Sequence, residues 1–148
     1  MKRPYLTIIR GLPGMGKSTR ARKYAEESGA LLVEPDMFIT RHGEYCYDEK
    51  NWAYAEHCAA IVVMQAGRAC SDTIYADVLP HKKDVLAVIA LYKSECPLSD
   101  GPIVNIIEMG AIDAALSFQR NRHNVKREDV EKMALEWEPW DTYEEEES

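Results

Sequence analysis

The chain has 148 residues, 46% of them apolar, with 18 Lys and Arg against 25 Asp and Glu for a net charge of −7. That suits one domain with a real core and excludes a membrane span, since no run approaches the ~18–20 apolar residues one requires. Seven acids and no base fall in residues 136–148, leaving 18 acids and 18 bases before them, so the overall acidity does not exclude a polyanionic partner.

Tyr5-Leu6-Thr7-Ile8-Ile9-Arg10 is a short, β-branched, almost continuously apolar run, which predicts a buried strand. Residues 11–16 form a glycine-rich turn. Residues 17–28 have helical composition, with Gly29 at the position of a C-cap, and Ala30-Leu31-Leu32-Val33 predicts a second buried strand. Residues 39–48 read as a polar loop dotted with aromatics. A helix is expected from Glu49 to about Gly67, on the spacing of Trp52, Ala55, Ala59, Val62 and Val63. Arg68-Ala69-Cys70-Ser71 is read as a short third strand. Pro80 opens a helix reaching about Lys93, residues 96–102 loop, and Ile103-Val104-Asn105-Ile106-Ile107 is a further strand. Two helices, at about 111–119 and 127–137, flank a polar, basic turn. Strands alternating with helices imply βαβ units around a parallel sheet.

Gly11-Leu12-Pro13-Gly14-Met15-Gly16-Lys17-Ser18 fits the phosphate-binding pattern G-x-x-x-x-G-K-[ST]. The glycines let successive backbone N–H groups turn inward, and the following helix aims its positive end at the same point. Lys17 would bridge β- and γ-phosphates, and the Ser18 hydroxyl would ligate Mg²⁺. A chance match in a chain of this length is on the order of 0.5% from average composition. The segment also follows a predicted strand and opens a predicted helix. ATP with Mg²⁺ is therefore the expected ligand. The chain leaves little room for the sensing elements of a motor, and it has no N-K-x-D motif for reading guanine, which points to a small kinase. Cys46, Cys58, Cys70 and Cys96 are spaced 12, 12 and 26 apart without a CxxC, so reduced thiols, no structural metal and a cytoplasmic setting are expected.

From these residues onward the sequence resembles the polynucleotide-kinase-like P-loop kinases, which include 5′-hydroxyl polynucleotide kinases. The loop, extended through Thr19, is similar to theirs. Glu34-Pro35-Asp36-Met37-Phe38 resembles an acidic-aromatic element in which the Asp is the general base. Gly43-Glu44-Tyr45-Cys46-Tyr47-Asp48 resembles a G-x-Y-x-[FY]-D loop, Ser71-Asp72-Thr73 an S-[DN]-T element touching the acceptor, and Arg120-Asn121-Arg122-His123 an R-N-x-H lid. The resemblance spans about residues 5–138. It implies a three-layer, Rossmann-like α/β fold with a parallel sheet of about five strands, a kinase domain over 1–138 and an acidic tail over 139–148.

By the same resemblance Asp36 takes the acceptor proton, Arg120 or Arg122 closes over the phosphates, and Asp72 with Thr73 contacts the acceptor. Asp72 could instead act on Mg²⁺ as a Walker-B-like acid. Tyr45 and Tyr47, two apart, either stack on an acceptor base or pack at a sheet edge. Two departures bear on the acceptor. Ile74-Tyr75 stands where polynucleotide kinases tend to have Asn, and Ile39-Thr40 replaces an Arg for which Arg41 is the nearest substitute. The expected function is transfer of the γ-phosphate of ATP to a hydroxyl, on a nucleic acid (5′-OH or hydroxymethylated base) or on a nucleoside or other small molecule. A non-catalytic nucleotide-binding protein is the reading from another class.

Overall fold

The computed structural model describes residues 2–41, 44–45, 49–110, 112–120 and 125–140, with 40, 41, 44 and 45 described by their backbone alone. Its elements, in chain order, are β1 (Tyr5–Arg10), α1 (Lys17–Ser28), β2 (Leu31–Val33), a single 3₁₀ turn (Pro35–Phe38), β3 (Thr40–Arg41), β4 (Glu44–Tyr45), α2 (Glu49–Arg68), β5 (Thr73–Asp77), α3 (Lys82–Glu95), β6 (Ile103–Glu108), α4 (Ala114–Arg120) and α5 (Arg127–Glu136). The main sheet is parallel with order β2-β5-β1-β6; β3 and β4 form a separate two-residue antiparallel ladder.

Alternation along the strands sorts the core into two layers. Leu6 and Ile8 of β1 join Ala59, Val63 and Ala66 of α2 and Val85, Val88, Ile89 and Tyr92 of α3 in one cluster. Ile9, with Ile74 and Ala76 of β5, meets Ala21 of α1 on the opposite face. Helices therefore cover both faces of a parallel sheet, and the strands read as continuous apolar runs for that reason. At about 1.5–3 kcal/mol for each fully buried aliphatic side chain, this burial is the main force holding the layers together.

Three expectations need correction. The sheet has four strands among the described residues, rather than about five; β6 is an edge strand whose residues are at best half-buried. The third strand is Thr73–Asp77, not residues 68–71. Gly67 does not stop α2, which continues to Arg68, and Cys70 turns the chain with φ 52°. Lastly, the loop expected over 39–48 contains the β3–β4 ladder.

Strand order sets the location of any ligand. β1 lies between β5 and β6, and the chain leaves β1 for β2 on the far side of β5. In open parallel sheets ligands sit beyond the carboxyl ends of the strands where the winding changes direction. Here that place is the end of β1, at residues 11–16.

Candidate active site

The glycine-rich loop joins β1 to α1 at this point. Gly14 and Gly16 have φ of 75° and 87°, in the left-handed region where side-chain-bearing residues are strained. Gly16 is the N-cap of α1, whose first turn contains no acid. Most helices place acids in that turn to offset the dipole, so its absence leaves the positive end of α1 available to an anion. Leu12, Pro13 and Met15 are buried and anchor the loop, whereas Gly14, Gly16 and Thr19 are exposed and Ser18 is half-exposed. The tip is also gripped by α4. Ser117 Oγ donates to the Pro13 carbonyl at 2.6 Å, and a Cβ on Gly14 would lie 2.7 Å from the Arg120 carbonyl carbon.

Lys17 Nζ donates to the Leu12 carbonyl at 3.0 Å, so the ammonium folds back over the loop. Burial pushes its pKa below the ordinary value, while Asp77, Asp36 and Glu34, in that order, oppose the shift. These three acids come from the carboxyl ends of neighbouring strands. Glu34 and Asp36 follow β2, and Asp77 ends β5 in register with Arg10 of β1, one residue before the loop. Burial raises the Asp77 carboxyl to about 7, against the help of the Val78 N–H, which donates to Oδ1 at 2.8 Å; Asp36 and Glu56 raise it further and Lys17 lowers it. Glu34 is buried, with one oxygen 3.9 Å from Arg22 and the other without a hydrogen-bond partner.

The structure thus brings residues 11–19 together with Asp36. It does not bring Asp72 or Thr73 there. Both stand at the amino end of β5, the opposite end of the sheet: Asp72 Oδ1 accepts from the Tyr5 N–H at 2.8 Å, and Thr73 Oγ1 donates to the Ser71 carbonyl at 2.9 Å. Asp72 can neither reach Mg²⁺ near Ser18 nor touch an acceptor beside Asp36. The acid that β5 delivers to the loop is Asp77, which the sequence reading passed over. Its signal was available, because Thr73-Ile74-Tyr75-Ala76 is the β-branched, apolar run and Asp77 its first charged residue. Arg120 closes α4 with an exposed side chain and its backbone against Gly14. Arg122 and Tyr47 lie outside the described residues, as do the side chains of Arg41 and Tyr45, which belong to β3 and β4.

Ser18 at the start of α1 and Asp77 offer a hydroxyl and a carboxylate, hard oxygen donors of the kind Mg²⁺ takes when phosphates supply further ligands. No cluster of three or more His, Cys, Asp or Glu side chains able to hold a metal occurs among the described residues. No helix among them is long and apolar enough to cross a membrane.

The parallel sheet, the phosphate loop and the covering helices make this a P-loop kinase-like α/β fold. Residues 6–87 match the AAA domain family AAA_33, and the chain belongs to that family. Among solved structures it is similar to a chain of the Pnkp1/Rnl/Hen1 RNA repair complex (TM-score 0.70, 15% identity), covering all of this chain and 47% of that one. It is also similar to a sugar kinase from Janibacter sp. HTCC2649 (TM-score 0.62, 16% identity, 95% and 81% covered). A third is a gluconokinase from Sinorhizobium meliloti 1021 (TM-score 0.58, 13% identity, 94% and 78% covered). The chain therefore spans about half the length of the RNA-repair relative. No curated protein is significantly similar to it in sequence.

Proposed function

We propose that the protein is an ATP-dependent kinase that transfers the γ-phosphoryl group to a hydroxyl acceptor. The observation that carries this reading is the convergence of Lys17, Asp36 and Asp77 at the loop between β1 and α1. A module that only binds nucleotide needs no proton acceptor beside its phosphates, whereas a hydroxyl must lose its proton as it attacks phosphorus. In this reading the loop N–H groups and Lys17 hold the β- and γ-phosphates. Ser18 and Asp77 would hold Mg²⁺, which when bound offsets charge on those phosphates. Asp36 accepts the hydroxyl proton while the oxygen forms its bond to the γ-phosphorus and ADP leaves. Arg120, carried on the loop's own α4 contact, is placed to follow the loop as it closes on the nucleotide.

Two acceptor classes fit this chemistry. A nucleic-acid hydroxyl is supported by the order of the sequence elements and by the RNA-repair relative. A small hydroxyl compound is favoured by the charge layout. Seven bases fall within residues 1–23 without an acid, yet they do not gather at the site. Arg3 donates to the carbonyls of residues 100, 101 and 102, Arg10 is fully buried, and Arg22 leans on Glu34. Around Asp36 the charges from described side chains are mainly carboxylates, which repel a phosphate-bearing strand. The sugar-kinase and gluconokinase likenesses agree with this second reading. γ-Labelled ATP supplied with 5′-OH DNA, 5′-OH RNA, hydroxymethylpyrimidine DNA, nucleosides and sugars tests both. Label on any hydroxyl supports the kinase, and its distribution selects the acceptor. ATP binding without transfer to any member, together with an Asp36→Asn variant indistinguishable from the parent, would leave a nucleotide-binding module.

A further inference from the structure

We propose that Arg10 and residues 137–140 form a clasp that sets the base of the phosphate loop, with Arg10 a positioning residue that acts through Gly11. It rests on the nucleotide-binding reading of the loop, and on no acceptor. A central parallel strand ordinarily ends in apolar side chains, and a buried charge without partners is costly. Arg10 nevertheless is fully buried, the largest side chain in the protein to be so.

Its guanidinium joins three separate segments. Nε and Nη2 donate to the Leu79 carbonyl at 3.0 and 2.6 Å, and Nη1 donates to Glu108 Oε1 at 2.9 Å and to the Glu138 carbonyl at 2.8 Å. The Trp137 ring lies against it, 4.3 Å from the guanidinium carbon to the ring centroid. Only the planar, five-donor guanidinium can span these acceptors and stack on an indole together.

The segment it holds is tied at further points. The Glu138 N–H donates to the Pro80 carbonyl at 2.8 Å, Glu138 Oε1 accepts from the Lys82 N–H at 3.2 Å, and the Trp140 N–H donates to Glu108 Oε1 at 2.7 Å. His81 stands between Glu136 and Glu138, 3.3 Å from each. The indole N–H groups of Trp137 and Trp140 are buried without hydrogen-bond partners, so backbone groups and Arg10 supply the directional hold.

This segment continues α5, and α5 packs on α4, which in turn grips the loop tip through Ser117 and Arg120. The C-terminal unit therefore touches the loop at both ends: at the base through Arg10, and at the tip through Pro13 and Gly14. Binding of a triphosphate in the loop and docking of residues 137–140 are then linked equilibria, each strengthening the other by the same factor.

The test compares Mg·ATP affinity by calorimetry with thermal stability, in the full chain and in Arg10→Lys, Arg10→Met, Trp137→Leu and Val88→Ala. Val88 is buried on α3, away from the loop, and serves as a destabilised control. The Arg10 variants are expected to bind ATP at least tenfold more weakly and Trp137→Leu at least threefold more weakly, while Val88→Ala keeps the parental affinity at a comparable loss of melting temperature. ATP should also slow amide hydrogen exchange across 137–140 in the parent. Parental ATP affinity in the Arg10 variants, or in Trp137→Leu if the Arg10 variants fail to fold, would overturn the clasp, as would exchange at 137–140 that ignores ATP. Failure of the parent itself to bind ATP would instead remove the nucleotide reading of the loop.

Discussion

Asp77 shows what a single buried carboxylate costs and what it can supply. Its carboxyl titrates near 7 in the folded protein against an ordinary 3.8, chiefly because burial disfavours the charge. Between those values the folded chain holds a proton that the unfolded chain does not. Stability therefore falls as pH rises through that window, and the whole cost is present above it. In metal-free protein, Asp77→Asn is expected to gain on the order of 1–3 kcal/mol at pH 8 and almost nothing at pH 4, measured by urea unfolding in EDTA. The same substitution should weaken Mg·ATP-dependent turnover sharply, a trade of activity against stability seen at many sites. Asp36→Asn should behave differently. ATP binding should persist while transfer falls by roughly 10²–10⁴, the usual worth of a positioned base. Lys17 and Ser18 could be read from spacing alone, because the loop pattern encodes a backbone shape. Asp77 could not, because its role depends on which residue of a strand comes last, and that boundary was misplaced by several residues.

At the scale of elements, the misplacement traces to Gly67. Glycine usually weakens a helix, and an α2 that stops there leaves Arg68-Ala69-Cys70-Ser71 free to be read as a strand. Tertiary packing overrides that preference, since α2 runs beside α3 and its buried face includes Ala66 and Gly67. Asp72 then falls before the strand instead of after it, which moves it to the other end of the sheet. β1, α1, β2 and β6 were legible because buried parallel strands carry unbroken apolar runs and α1 has a glycine at each end. The α4 contact was not legible, since it joins residues about a hundred positions apart. It makes two element-level predictions. Gly14→Ala places a Cβ 2.7 Å from the Arg120 carbonyl carbon at a φ of 75°, so ATP affinity should fall at least tenfold, readable by calorimetry. Ser117→Ala leaves the Pro13 carbonyl without its buried donor and should cost about 1–3 kcal/mol in denaturant unfolding.

For the whole molecule, the charge total of −7 conceals the arrangement that decides function. The N-terminal bases, adjacent in sequence, are dispersed by the fold over both ends of the sheet and into the core. Acids from β2 and β5 instead converge beside Lys17. Sequence clustering of charge thus overstated the case for a polyanionic acceptor, because neighbours along a strand or helix project in different directions. Acidic residues 136 and 138, counted with the tail, instead hold His81 and help fasten the chain's end to the sheet. The central claim is phosphoryl transfer, with Lys17 holding phosphates and Asp36 accepting the proton. Its most direct measurement is transfer of label from γ-labelled ATP across the acceptor panel by the parent, Lys17→Ala and Asp36→Asn. The account predicts label on a hydroxyl acceptor with the parent, loss of both ATP binding and transfer in Lys17→Ala, and loss of transfer with ATP binding retained in Asp36→Asn. Transfer by Asp36→Asn at the parental rate would contradict it.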